Sequence, residues 1–329
     1  MKVVDRLGRE LRTLRVSVTD RCNFRCFFCM PPGRSVEFLE RNELLTYEEI
    51  RDVVSALTTL GINKVRITGG EPLLRANIDR LVRMLSSLGG VRDVALTTNG
   101  YNLHRKAESL KDAGLRRITV SLPTLRDDRF SSITGRGVSL NTVIEGIERA
   151  MGVGLLVKIN TVVIRGVNED EILSIAEFCR ERGIVLRFIE YMDVGTLNGW
   201  SPDKVFTARE IISVLKKRYA LEELGRDKGE TATLFRCKDT GLEVGIIASI
   251  SQPFCRDCTR LRLSADGKLY TCLFSRDGID IKALLRGGAS GEELARFIKG
   301  VWERREDRYS ELRSSQREAT KVEMFKVGG

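Results

Sequence analysis

Along the first part of the chain, short apolar runs alternate with longer segments whose apolar positions recur every three or four residues. The runs at 14–19, 64–68, 94–98, 117–122, 155–163 and 185–191 are rich in Val, Ile, Leu and Thr and read as six strands. Between them, 46–60, 78–88, 102–113, 141–151 and 168–182 carry helical periodicity, and several open on a Thr or Asn able to cap free amide donors. Strands alternating with helices in this order predict a parallel α/β fold. A closed barrel needs about eight such units, so the expectation is an open, partial (β/α)6 barrel of TIM-like form, working at the C-terminal ends of its strands. After about residue 195 the rhythm breaks into a Gly, Asn and Pro stretch, a helix at 207–219, and short strands at 231–236 and 243–250. The division expected is 1–195 for the barrel and 196–329 for a smaller α+β domain. Residues 302–321 mix Arg and Glu densely and read as a solvated helix rather than a grip on nucleic acid.

Composition narrows the chemistry. With 329 residues, 42% hydrophobic and 30% charged, the chain can bury a full core, and no stretch is apolar for long enough to span a bilayer. Nothing near the N-terminus has the apolar centre of a secretion signal, so a cytoplasmic protein is expected. The single histidine, His104, argues against Ser-His-Asp triads, His-Glu-x-x-His zinc sites and facial iron triads. A net charge of +10 suggests an anionic partner without distinguishing a nucleic acid from a small polyphosphate. Eight cysteines in a reducing compartment read as metal or redox ligands before disulfides.

Their spacing is specific. Cys22-x-x-x-Cys26-x-x-Cys29 directly follows the first strand, and three thiolates on one loop can hold three irons of a 4Fe-4S cluster, leaving one iron open. A three-thiol zinc site or chance spacing is the alternative. Thr68-Gly69-Gly70-Glu71-Pro72 follows the second strand, and its glycines let backbone approach a ligand, although a Gly-Gly pair by itself is most often a turn. Cys255-x-x-Cys258, with Cys272 further on, makes a second triad. Here zinc competes, since Cys237 could supply a fourth thiolate to a closed structural site. Arg260 and Arg262 flank Leu261 and in a strand point to one face, presenting two guanidiniums that a structural zinc knuckle does not need. Cys179 and Cys237 otherwise read as core thiols.

The first triad and its Gly-Gly motif resemble the radical S-adenosylmethionine superfamily, in which the methionyl group chelates the open iron and an electron from the cluster generates a 5′-deoxyadenosyl radical. That resemblance places Phe28, just before the third cysteine, by the adenine, and Gly69, Gly70 and Glu71 at the methionyl amine. Further motifs are Asp20-Arg21-Cys22-Asn23-Phe24-Arg25-Cys26, Thr97-Thr98-Asn99-Gly100, Lys158-Ile159-Asn160-Thr161-Val162, Arg187-Phe188-Ile189-Glu190-Tyr191-Met192, and a terminal Gly328-Gly329. Taken with both triads, they make the whole chain similar to the GTP 3′,8-cyclase family.

The resemblance implies a lyase that converts GTP to 3′,8-cyclo-7,8-dihydro-GTP, the first step of molybdenum cofactor biosynthesis. The radical takes the ribose 3′ hydrogen and the ribosyl radical closes on guanine C8. Two 4Fe-4S clusters are implied, on Cys22, Cys26 and Cys29 and on Cys255, Cys258 and Cys272, the second taking the guanine edge. Ser121 and Met192 join Gly70 as S-adenosylmethionine contacts. Arg15, Arg66, Thr97, Lys158, Arg260, Leu261 and Arg262 match GTP contacts, and Arg15, Gly328 and Gly329 match catalytic positions, the di-glycine tail reaching into the site. Charge logic agrees: GTP carries about four negative charges, and without a Gly-x-x-x-x-Gly-Lys-Ser/Thr loop side-chain cations must hold them. The implied partners are an external electron donor and, functionally, cyclic pyranopterin monophosphate synthase; no nucleic acid or membrane is implied, and a homodimer is compatible. The rival readings are a two-cluster radical enzyme acting on a peptide or RNA base, and an iron-sulfur carrier or zinc-binding module. Family members commonly carry Asp where this chain has Pro123, beside Ser121.

Overall fold

The computed structural model describes residues 2–316 and 321–329. Strands β1 (Thr13–Ser17), β2 (Lys64–Thr68), β3 (Asp93–Thr98), β4 (Arg117–Ser121), β5 (Leu156–Val163) and β6 (Val185–Glu190) pair in sequence order, all parallel. Helices α1 (Tyr47–Thr58), α2 (Ile78–Ser86), α3 (Leu103–Asp112), α4 (Asp127–Thr134), α5 (Leu140–Gly152) and α6 (Ile172–Glu181) return the chain between them. α1 is typical: Thr46 and Glu49 close a capping box at its start, and Ile50, Val53, Val54 and Leu57 bury one face. Each such side chain contributes about 1.5–3 kcal/mol by leaving water. All six strands fall where the apolar pattern predicts. α4 is an addition, since its eight residues send only Phe130, Ile133 and Thr134 inward, too few to register as a period.

The C-terminal part contributes α7 (Ala208–Lys216), β7 (Leu221–Gly225), β8 (Thr233–Cys237), β9 (Glu243–Ile247), β10 (Arg260–Leu263), β11 (Lys268–Tyr270), β12 (Ile279–Asp280), α8 (Lys282–Arg286), α9 (Gly291–Glu303), α10 (Arg313–Gln316) and α11 (Met324–Val327). Its strands join the same sheet at both ends. β9 lies parallel beside β6 and β10 parallel beside β1, giving the order β12-β11-β10-β1-β2-β3-β4-β5-β6-β9-β8-β7. The stretch from β10 to β9 is therefore wholly parallel. β9 and β10 do not pair with each other, so the barrel stays open, and β7, β8, β11 and β12 continue antiparallel beyond them.

Buried carboxylates tie the working ends of the strands together. Glu71 accepts the Thr98 hydroxyl and the Asn99 amide, each at 2.7 Å, joining the ends of β2 and β3. Glu171 accepts the Thr124 hydroxyl at 2.5 Å and the Leu125 amide at 2.8 Å after β4. Glu190, at the end of β6, accepts the amides of Ala208 and Ile250 at 2.7 Å. A buried carboxylate survives only with such donors around it.

Residues 302–316 and 321 correct an expectation: they are not a solvated helix. α9 ends at Glu303, and Trp302, Arg305, Tyr309 and Lys321 are buried. Lys321 Nζ donates to Asp193 Oδ2 at 2.7 Å and the Tyr309 hydroxyl to the same oxygen at 2.6 Å. Mixed charges here serve internal pairs, which a count of signs cannot separate from a solvated face. Residues 317–320 of that stretch lie outside the described residues. No helix among the described residues is long and apolar enough to cross a membrane.

Candidate active site

At the C-terminal ends of the parallel strands lies a cavity of about 320 Å³. Period-two alternation aims one face of every strand into it. Arg15 comes from β1, Arg66 from β2, Thr97 from β3, Ser121 from β4, Asn160 from β5, Arg187 from β6, and Arg260 and Arg262 from β10. Strand register sets Arg262, Arg15 and Arg66 side by side on three adjacent strands. Like charges directly opposite repel. Burial and then the neighbouring guanidiniums push Arg15 well below the usual arginine range, and burial carries Arg66 and Arg262 down to about 10. Lys158, on β5, is pushed down to about 8 by burial and then by Arg187. Nearby carboxylates are engaged elsewhere: Asp93 pairs with Arg117, and Glu230 accepts Lys64 Nζ at 2.8 Å. Arg15 Nε, Arg187 Nε and Asn160 Oδ1 are buried without a hydrogen-bond partner. Unneutralised cations with free donors lining one cleft are a site for a polyanion.

Cys22, Cys26 and Cys29 line one part of this cavity and Cys255, Cys258 and Cys272 another. The first loop is locked onto the Gly-Gly turn, with the Gly70 amide donating to Thr19 O at 2.7 Å and the Glu71 amide to Arg21 O at 2.8 Å. A Cβ on Gly70 would sit 2.3 Å from Arg21 O, and one on Gly69 (φ +154°) 2.5 Å from Thr19 O. The glycines are thus required by the contact between two backbones. Burial pushes Cys22 up to about 11 and raises Cys26 and Cys29 too, so metal binding there displaces protons. The Phe24 amide donates to Cys22 Sγ at 3.4 Å. Three thiols with an amide donor aimed at sulfur suit an iron-sulfur cluster.

The second triad sits among cations. Burial alone would raise the Cys258 thiol, but Arg260 and Arg305 hold it down at about 6. Cys272 is pushed up to about 12 by burial and then by Asp307. Among the described residues, no three His, Cys, Asp or Glu side chains close around a single metal ion. Cys237 lies in the core on β8, off the cavity wall, so it does not complete a four-thiol zinc site there, and Cys179 is in the core on α6.

The chain's end enters the cavity. Arg15 Nη1 donates to the Gly329 carbonyl and Arg262 Nη1 to the Gly328 carbonyl. Gly328 has φ +74°, and a Cβ there would lie 2.2 Å from Thr68 Cγ2, so only glycine fits. Behind it, Glu323 accepts the Thr196 amide at 2.8 Å, and the Val322 amide donates to Ser275 O at 3.1 Å.

Phe28, Gly69, Gly70, Thr97, Ser121, Met192 and Gly329 all face the cavity together with both triads. Glu71, Lys158, Leu261 and Gly328 do not line it. The Glu71 carboxyl, raised to about 7 by burial, turns to the ends of β2 and β3, and Leu261 packs in the core on the opposite face of β10. Arg187, Asn160, Asn99, Arg305 and Asp307 line the cavity without having been singled out in the sequence. A signal existed for three of them: Asn99, Asn160 and Arg187 stand inside motifs quoted above, and Asn160 alternates with Ile159 on the face of Lys158. The Pro123 carbonyl accepts Asn168 Nδ2 at 2.7 Å, so the loop beside Ser121 is tied down without the family's usual Asp.

Residues 16–179 match the Radical SAM superfamily, and residues 184–311 match the family described as Molybdenum Cofactor Synthesis C. The GTP 3′,8-cyclase of Aquifex aeolicus (strain VF5) is 49% identical over 327 residues, 99% of this chain and 100% of that protein. That of Staphylococcus aureus (strain JH9) is 44% identical over 337 residues, 100% of this chain and 99% of that protein. Among solved structures, Streptococcus suis SuiB bound to S-adenosylmethionine shares the fold, with a TM-score of 0.63 and 16% identity, over 88% of this chain and 68% of that one.

Proposed function

This chain belongs to the GTP 3′,8-cyclase family of radical S-adenosylmethionine enzymes, and from that premise we infer how its cavity divides the work. The reaction converts GTP to 3′,8-cyclo-7,8-dihydro-GTP, the first step of molybdenum cofactor biosynthesis. A 4Fe-4S cluster with S-adenosylmethionine supplies the radical that takes the ribose 3′ hydrogen. We assign its ligands as Cys22, Cys26 and Cys29, with Phe28, Gly69, Gly70, Ser121 and Met192 shaping the pocket beside them and Glu71 bracing it from behind. Cys255, Cys258 and Cys272 would hold a second cluster, at the end of the cavity assigned to guanine.

In this reading the triphosphate lies along the Arg262, Arg15 and Arg66 row, joined by Arg260, Lys158 and Arg187. Its charge relieves the repulsion among these guanidiniums, so the binding energy is localised at the phosphates. Thr97 offers a hydroxyl, and Leu261, whose side chain is in the core, offers only backbone. Arg15 and Arg262 also grip the tail carbonyls, so Gly328 and Gly329 form a wall that excludes water from a carbon radical's reach. An external donor provides the electron, and cyclic pyranopterin monophosphate synthase takes the product onward. We class the enzyme as a lyase and place it in the cytoplasm, where free cysteines stay reduced.

The observation that supports this assignment of residues is that two cysteine triads and an unneutralised guanidinium row share one cavity. The test is anaerobic incubation of iron-reconstituted protein with dithionite, S-adenosylmethionine and GTP. Expected are about eight irons per chain, 5′-deoxyadenosine, and the cyclised nucleotide by mass spectrometry. Deoxyadenosine with GTP untouched would remove the GTP contacts assigned here, and a Cys272→Ala variant with full cyclase activity would remove the second triad from the site.

A further inference from the structure

Behind the second triad runs a buried ionic chain that neither the phosphate row nor the tail uses. The side chains of Arg9, Asp5 and Arg305 are 1%, 0% and 1% exposed. Arg9 Nε donates to Asp5 Oδ2 at 2.6 Å, and Arg305 Nη1 reaches the same oxygen at 3.3 Å. Both guanidiniums then turn to the turn that carries two of the cysteines. Arg9 Nη1 donates to the Cys255 carbonyl at 2.9 Å, Arg305 Nη1 to the Cys258 carbonyl at 2.7 Å, and Arg305 Nη2 to Cys258 Sγ at 3.1 Å. Trp302 fixes the chain from the outer side, its Nε1 donating to Arg9 O at 3.0 Å while the Arg305 guanidinium lies 4.5 Å from its ring centre.

Fold stability alone is a poor reason for this arrangement. Arg9 and Arg305 share the Asp5 carboxylate, and Arg305 Nε lies 3.5 Å from Asp307 Oδ2, in a site where packed apolar side chains of the same volume would serve as well or better. Their other bonds run to both ends of one cysteine turn, to one sulfur and, from Arg9 Nη1, to the Asp307 carbonyl at 2.7 Å. A cation that donates to a cluster's sulfur ligand favours the reduced, more negative state, so it raises the reduction potential.

We propose that Arg9, Asp5 and Arg305 form a positioning device for the second cysteine triad, fixing the turn by the carbonyls of Cys255 and Cys258 and raising, through the Arg305 bond to Cys258 Sγ, the reduction potential of the cluster held there. The proposal rests on the reading that this triad carries a cluster. The full chain bearing Cys22→Ala, Cys26→Ala and Cys29→Ala isolates that cluster for iron analysis, electron paramagnetic resonance and potentiometric titration. In this background, Arg305→Gln is expected to keep its iron while its midpoint moves to more negative potential. Arg305→Lys, which keeps the charge and loses the fork, falls between the two. Equal midpoints for parent, Lys and Gln variants overturn the proposal. Should the Gln variant not fold, the Lys variant decides alone: a negative shift supports the device and an unchanged midpoint overturns it. A parent that binds no iron overturns the cluster reading itself, a result distinct from unchanged potentials.

Discussion

Lys158 shows at the scale of one residue how the site is strained by its own charge. Its ammonium titrates near 8 because burial and Arg187 disfavour the cation, so between that value and the ordinary 10.5 the unfolded chain binds more protons than the folded one. Stability without ligand therefore gains from this group as pH rises through that window. On the assignment proposed above, GTP affinity moves the other way, since a phosphate held by Lys158 needs the cation and draws a proton onto the neutral amine. Calorimetry should show KM or Kd for GTP rising above about pH 8 with proton uptake on binding. Lys158→Met should abolish that uptake and weaken GTP by about tenfold to a hundredfold, the cost of one charge-assisted contact. Gly70 is the opposite kind of residue, defined by what it lacks. Gly70→Ala drives a Cβ into Arg21 O, and a clash with backbone cannot be relieved by a rotamer, so about 1–3 kcal/mol of stability and most iron at the first triad should be lost together. Both residues stand in sequence motifs, but only the pairing of loops reveals why: the Gly-Gly run reads as a ligand contact, and the structure adds a loop-to-loop contact beneath it. Arg260 and Arg262 were legible as a pair because alternation along one strand is a local property. Their alignment with Arg15 and Arg66 was not, because register between strands is written nowhere in a single run of residues.

Elements carry the next layer, and the segment after β6 is the most connected of them. It holds Met192 toward the cavity, and its Asp193 accepts Lys321, Tyr309 and Arg313 from the last part of the chain. Burial would raise the Asp193 carboxyl, but the bonds from Lys321 and Tyr309, with Arg313, hold it below its ordinary 3.8. A depressed carboxyl contributes stability that is fully present above the ordinary value and is lost as pH falls through the lower folded one. Hydrogen exchange should find the amides of residues 321–329 equally protected from pH 7 to 5. Asp193→Asn should lose that protection throughout the range, with cyclase turnover reduced and iron content unchanged; full protection in that variant would show the tail is held by other contacts. The same segment marks where sequence reading reached its limit. Strands and long helices announced themselves by period, whereas residues 302–316 and 321 hold together through Asp193, Asp5 and Arg9, partners remote in sequence whose pairing no local pattern displays.

In the whole molecule, the six strand-helix units were visible and the final sheet was not. Six parallel strands leave β1 and β6 with unpaired backbone edges, and the chain closes those edges with β10 and β9. Both are short, at four and five residues, and nothing in their composition tells which edge they join. Residues 1–195 expressed alone should thus aggregate through both edges. Co-expression with residues 196–329 should restore part of the soluble yield; a stable, monomeric 1–195 fragment would show that the edges are protected in another way. The pairing of β1 with β10 also places a condition on synthesis. Some 240 residues separate Ser17 from Arg260, and at about 5–20 residues per second a ribosome takes roughly 12–50 s to supply the missing neighbour. For that interval every nascent molecule carries a completed strand with one adhesive side. The yield of working enzyme is then governed by what shelters that side while translation proceeds, and slowing translation lengthens the hazard instead of easing the fold.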